Sequence, residues 1–195
     1  MPKHWLMKTE PDTFNIDDLE RVKVEPWTGV RSVFARFHMR NMSAGDEVLF
    51  YHSNANPPGV AGLARVTKTG VIDETQFDPA SPYFAPKATR DKPIWDCVAV
   101  EFVDKLPYFV SLAHIRAEPA LKDMKLLQIG RLSVMPVEPA EYALIVQMGH
   151  AEPKPLPAPV KTVKKTKPKP KPKPKPKASA AKTARAKPKQ RKAKR

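Results

Sequence analysis

The clearest alternation of side chains along the chain lies in Ile94–Val103. There Trp95, Cys97, Ala99 and Glu101 share one face of a strand, while Val98, Val100 and Phe102 share the other. Shorter apolar runs predict strands over Lys3–Lys8, Asp46–His52, Val60–Thr69 and Leu132–Val137, the middle two joined across the Pro- and Gly-containing loop Asn54–Gly59. Asn15 stands where a helix N-cap belongs, with Asp17 and Asp18 in the first turn, where carboxylates favour the helix dipole. Ser32–Asn41 gathers Val33, Phe34 and Phe37 on one face and predicts a second, amphipathic helix. Asp78–Pro93 is rich in proline and reads as an ordered loop. Pro139–Gln147 predicts a closing helix with Gly149 as its terminator. Five or six short strands with few helices predict a mixed α/β domain built on a small barrel.

Charge divides the chain at His150. Residues 1–150 hold 17 Lys and Arg against 19 Asp and Glu, whereas residues 151–195 hold 18 against one, Glu152. The domain is thus −2 and the tail +17, so the basic isoelectric point near 9.9 belongs to the tail. Lys and Pro alternate most strictly over Lys167–Lys177, and an Ala/Lys/Arg run leads to Arg195. Ten of the 23 prolines lie after His150, and no aromatic residue does. Such a segment cannot offset its ordering entropy with a core, so a disordered arm is predicted over 151–195. Its composition resembles the tails of linker histones. Dense positive charge attracts phosphate without regard to sequence, and no aromatic anchor accompanies it to suggest a membrane partner.

Several chemistries lack their signatures. The seven glycines form no phosphate-binding loop, and His4, His38, His52, His114 and His150 are scattered without ligand spacing. The single cysteine, Cys97, permits no internal disulfide or multi-cysteine zinc site and reads as a buried, inert thiol. No apolar stretch suits a signal peptide or a membrane span. An intracellular protein with no catalytic group, metal or cofactor is expected.

What remains is a set of polar turns accompanied by aromatics: Trp5-Leu6-Met7-Lys8-Thr9-Glu10-Pro11, Trp27-Thr28-Gly29-Val30-Arg31, Phe50-Tyr51-His52-Ser53-Asn54 and Gly130-Arg131-Leu132-Ser133-Val134. Aromatic faces beside hydrogen-bonding groups suit an unpaired base, which is stacked on a ring and read along its edge. With the intervening Asp78-Pro79-Ala80-Ser81-Pro82-Tyr83 loop, these motifs in this order resemble the EVE domain, from about Lys3 to about Met148. EVE domains belong to the PUA-like superfamily and are similar to YTH domains, which read a methylated adenine in RNA.

The resemblance implies a PUA-like β pseudo-barrel with flanking helices over residues 1–150, and a non-catalytic reader of a modified base, with modified cytosine in DNA favoured. It implies that Lys8, Thr9 and Glu10 form the mouth of the pocket. Trp27 would be a cage wall and Arg31 a phosphate or base-edge donor. Tyr51, His52, Ser53 and Asn54 would border the cavity, with Ser53 and Asn54 reading a base edge. Trp95 matches a second stacking aromatic, and Arg131 and Ser133 match the last motif, Arg131 either contacting phosphate or pairing with an acid. After Arg31 the family usually shows Asn, an aromatic and Gln. Ser32, Val33 and Phe34 stand here instead, so Ser32 and Phe34 would reshape the pocket.

The implied partner is nucleic acid, DNA rather than RNA, with no membrane and no obligate protein partner. A bacterial nucleoid is the expected setting, and a eukaryotic nucleus stays open. Two other readings are an architectural DNA-binding protein without base preference and an RNA-directed nuclease or modification enzyme.

Overall fold

The computed structural model describes residues 1–153 and 155–156; the rest of the arm predicted over 151–195 lies outside the described residues. Six strands form one mixed sheet in the order β2-β5-β4-β3-β1-β6. They are β1 (His4–Thr9), β2 (Val24–Pro26), β3 (Glu47–His52), β4 (Gly59–Ile72), β5 (Asp96–Ser111) and β6 (Val134–Val137). Only β1 and β3 pair in parallel; the other neighbours are antiparallel. Register shifts interrupt β3–β4 once and β4–β5 four times. Each leaves unmatched residues on one strand and bends it. The small barrel expected from sequence takes the form of a bent, open sheet whose edges are β2 and β6.

Two cores follow from the alternation of side chains. Trp5, Met7, Val48 and Phe50 point into one, and Leu6, Leu49 and Tyr51 into the other. The first is closed by α1 (Ile16–Val22) and α2 (Val33–Arg40) through Ile16, Leu19, Ala35 and Met39. The second lies under α3 (Leu112–Ala117), α4 (Lys125–Gln128) and α5 (Pro139–His150), with Ile115, Leu126 and Ile145 buried. Trp5 belongs to the core, and its indole N–H donates to buried Asp46 at 2.8 Å.

Asn15 caps α1 as expected, accepting from the amides of Asp17 and Asp18. Ser32 caps α2, accepting from the Ala35 amide at 3.3 Å. The apolar face expected of α2 points to solvent. Val33, Phe34 and Phe37 are exposed, and small Ala35 and flexible Met39 pack inward instead. At the C-terminus, Gly149 does not stop the helix but lies buried within α5. A Cβ there would come within 2.6 Å of Leu106, so glycine lets α5 lie close on β5. The strand predicted over Ile94–Val103 begins at Asp96 and runs on to Ser111, while residues 112–128 add α3 and α4, for which the pattern gave no signal.

The Pro-rich 78–93 loop is closed at its base by the Gln76 side chain. Fully buried Gln76 accepts from the amides of Ile94 and Trp95 at 2.8 and 2.9 Å. It donates to the carbonyls of Asp73 and Trp95 at 2.9 and 2.8 Å. All its hydrogen-bonding directions are used, which offsets the cost of taking a polar group out of water.

Candidate nucleic-acid interface

A cavity of about 620 Å³ opens where the sheet fails to close. One wall is edge strand β2 and the turn after it, residues 25–31. The other is the segment 130–133 that leads into edge strand β6. The end of β1, Thr13 and Phe14 form the floor, with Ser53 and Tyr83 at the sides. An unclosed sheet offers a cleft between its edges, and three aromatics, Phe14, Trp27 and Tyr83, line this one.

Trp27 is fixed from both ends. Its amide donates to the Val98 carbonyl at 2.8 Å, and its ring meets Phe50 edge-on at 5.4 Å. The indole therefore belongs to the core and the cavity at once. Gly29 takes φ +80°, and a Cβ there would lie 2.8 Å from the Tyr83 ring, so this glycine meets both a backbone and a packing demand.

Arg31 lines the cavity, yet its five N–H groups are all engaged within the domain. Nε and Nη2 donate to the Tyr83 carbonyl at 3.0 and 2.7 Å, and Nη2 also to Thr75 Oγ1 at 3.0 Å. Nη1 donates to the Val30 carbonyl at 3.2 Å and to Asp73 Oδ2 at 2.7 Å. Its plane lies between the rings of Tyr83 and Trp95, 5.3 and 5.2 Å from their centroids. Asp73 also accepts from the Gly29 amide at 2.9 Å. Burial pushes the Asp73 carboxyl up, but hydrogen bonds from Arg31, Thr75 and the Gly29 amide outweigh that and hold it below the ordinary carboxylate range. This arrangement makes Arg31 a brace for the 27–31 turn, with no N–H left over for phosphate.

The free polar groups lie elsewhere in the cavity. Glu25 is half-buried in the β2 wall and Glu10 exposed at the mouth. Arg131 is exposed at the rim and forms no ion pair among the described residues. Lys8 donates to the Gly130 carbonyl at 3.0 Å and keeps two further N–H groups, and burial lowers its pKa. Thr9 and Ser53 are largely occupied with each other and with Phe14. The Ser53 amide and hydroxyl donate to the Thr9 carbonyl at 2.7 and 3.0 Å, and Thr9 Oγ1 donates to the Phe14 carbonyl at 3.0 Å.

The structure brings Lys8, Thr9, Glu10, Trp27, Arg31, Ser53, Arg131 and Ser133 to this cavity and leaves six sequence-predicted residues away from its lining. Tyr51 is in the second core because alternation turns it opposite to Phe50. His52 Nε2 accepts from the Ile16 amide at 3.3 Å and so docks α1. Asn54 adopts φ +52° in the loop after β3. Ser32 is spent on the α2 cap, and Phe34 faces solvent. Trp95 stacks behind Arg31 and under Arg36. Phe14, Glu25 and Tyr83 are lining residues that the sequence reading did not single out. Of these, Tyr83 alone had a signal, its place in the Asp78–Tyr83 motif.

Among the described residues no group of three or more His, Cys, Asp and Glu side chains could hold a metal ion, and no helix is long and apolar enough to cross a membrane.

Fold and site thus define a small α/β domain that presents a ligand-sized, aromatic and mixed-charge cleft between the two edges of a bent sheet. Residues 3–148 match the EVE domain, and the chain belongs to that family. Human thymocyte nuclear protein 1 is 36% identical to it, the match covering 78% of this chain and 76% of that protein. Among solved structures, a hypothetical protein from Leishmania major is 47% identical with a TM-score of 0.74, covering 76% of this chain and 95% of that one. The crystal structure of human THYN1 protein in complex with 5-methylcytosine containing DNA is 36% identical with a TM-score of 0.72, covering 77% and 99%.

Proposed function

We propose that this chain is a non-catalytic reader of modified cytosine in DNA, taking the base into the cavity between the sheet edges while the basic tail adds affinity for phosphate. The observation that carries this reading is the free chemistry of the cavity. An aromatic wall at Trp27 stands beside Glu25, a carboxylate with no ion pair among the described residues, and the half-buried ammonium of Lys8. Cytosine presents an amino donor next to ring nitrogen and carbonyl acceptors, and carboxylates are its usual acceptors. Glu25 accepts from that amino group, Lys8 donates toward the acceptor edge, and Arg131 at the rim meets the backbone. The DNA complex of the human relative supports the same reading.

The test compares 5-methylcytosine, cytosine and thymine at one position of otherwise identical oligonucleotides, bound to the full chain. Thymine keeps the methyl group but presents a carbonyl where cytosine has its amino group. Tightest binding to 5-methylcytosine is expected, with Glu25→Gln losing most of the discrimination against thymine. Equal affinity for all three would overturn the proposal.

A further inference from the structure

The outward face of α2 is an apolar surface that the cavity leaves unused. Val33, Phe34 and Phe37 are 66%, 75% and 63% exposed on a helix of eight residues. Clustered exposure of large apolar side chains marks a surface that something covers. Three observations say what covers this one.

The first is position. Ser32 caps α2 directly after Arg31, which lines the cavity. Phe34 lies in the first turn, and helical side chains lean toward the N-terminus, here the cavity end. The second is charge. No acid lies between Arg31 and Arg40. Arg36 pairs with no carboxylate among the described residues; it donates to the Ile94 carbonyl at 2.6 Å and rests 4.7 Å from the Trp95 centroid. An apolar face that carries an arginine free of any carboxylate among the described residues suits a polyanion with an apolar interior, which is a stacked duplex. The third is size. A helix of eight residues is about 12 Å long, short for the roughly 800 Å² per partner of a stable protein dimer.

We infer that Phe34 is an apolar wedge that enters a DNA duplex beside the cavity and fills the stack vacated by a base turned out into it. The inference rests on the reading of the cavity as a base site. A base inside a duplex cannot reach a cleft between sheet edges without leaving its stack, which costs a few kcal/mol, and inserted apolar side chains offset such unstacking. Phe34 is favoured over Phe37 because it is more exposed and one turn nearer the cavity, while Phe37 already meets the His38 ring edge-on at 5.8 Å.

The wedge matters only where a base must be extracted, and this supplies the test. Affinity of the full chain is measured for one 5-methylcytosine oligonucleotide as a matched duplex and as a single strand, with plain cytosine controls. Phe34→Ala should weaken duplex binding about tenfold, as loss of a stacking ring does, and leave single-strand binding within about twofold. Phe34→Leu, still an apolar wedge, should retain most of the duplex affinity. Phe34 is exposed, so neither change threatens the fold. Unaltered duplex binding by Phe34→Ala would overturn the inference, as would an equal loss on the single strand. So would sedimentation of the wild-type chain as a dimer that Phe34→Ala dissociates. Failure of the base-site reading shows separately, as equal wild-type affinity for methylated and plain single strands, where no wedge is needed.

Discussion

Arg31 and Asp73 meet at 2.7 Å behind the cavity wall, and the carboxylate that holds the guanidinium also holds the Gly29 amide at 2.9 Å. One carboxylate thus fixes both ends of the Gly29–Arg31 turn. The Asp73 side chain is 2% exposed and that of Arg31 23%, so removing either charge strands the other with little water. Asp73→Asn is expected to cost about 3 kcal/mol of stability. Arg31→Lys should cost about 2 kcal/mol, because an ammonium cannot reproduce a planar fork clasped between two rings. Urea unfolding measures both. A loss within about 0.5 kcal/mol, the range of ordinary surface substitutions, would show that the turn is held by other contacts.

That brace also shows where sequence reading stops. Strands β1 and β3 and the α1 cap were legible because their signals are local: apolar runs, and Asn15 followed by acids. The cavity is not local. Its walls are β2, too short at three residues to produce a pattern, and a turn some hundred residues later. Glu25 was invisible for that reason. Arg31 looked like a free donor because the carboxylate that engages it is 42 residues away. Amphipathicity groups Val33, Phe34 and Phe37 on one face of α2, but it does not say whether that face meets the core or the solvent. Tyr83 sat in a recognisable motif, but its part in the site depends on Gly29 leaving room for its ring.

Mild acid should destabilise the domain through His52. Burial lowers its pKa below the ordinary 6.5, the nearby Asp17 charge opposing this only in part. Its Nε2 accepts from the Ile16 amide, which requires a neutral ring. A lowered pKa means that the folded protein binds fewer protons than the unfolded chain. The stability is therefore complete above pH 6.5 and declines as pH falls toward the depressed folded value. His52→Gln keeps an acceptor for Ile16 and removes the titration. Urea midpoints followed from neutral pH down to about 5 should fall less steeply in the variant. Parallel curves would assign the decline to other groups.

Cys97 is a packing residue. It is buried in the first core, and burial, aided by the charges of Asp73 and Asp96, pushes its thiol up to about 12. Too little thiolate exists at neutral pH to attack an alkylating reagent. The native thiol should react only as fast as the domain opens. Cys97→Ser should cost about 1–2 kcal/mol by burying a hydroxyl without a partner. Rapid stoichiometric labelling of the folded protein would contradict this.

Salt separates the work of the domain from that of the tail. Residues 157–195 hold 17 Lys and Arg and no acid, whereas residues 1–150 are −2. Each phosphate contact contributes about 0.7–0.9 to the slope of log affinity against log salt. Removing 157–195, which leaves every described residue in place, should flatten that slope by several units and weaken binding to every oligonucleotide. The ratio of affinities for 5-methylcytosine and plain cytosine should survive, because phosphate contacts position a protein while base contacts specify its site. The opposite pattern is equally readable. If the truncated chain binds with an unchanged slope, the tail makes no phosphate contact. If it loses its preference at every salt concentration, selectivity resides in the tail, and the cavity between the sheet edges is not the reading site.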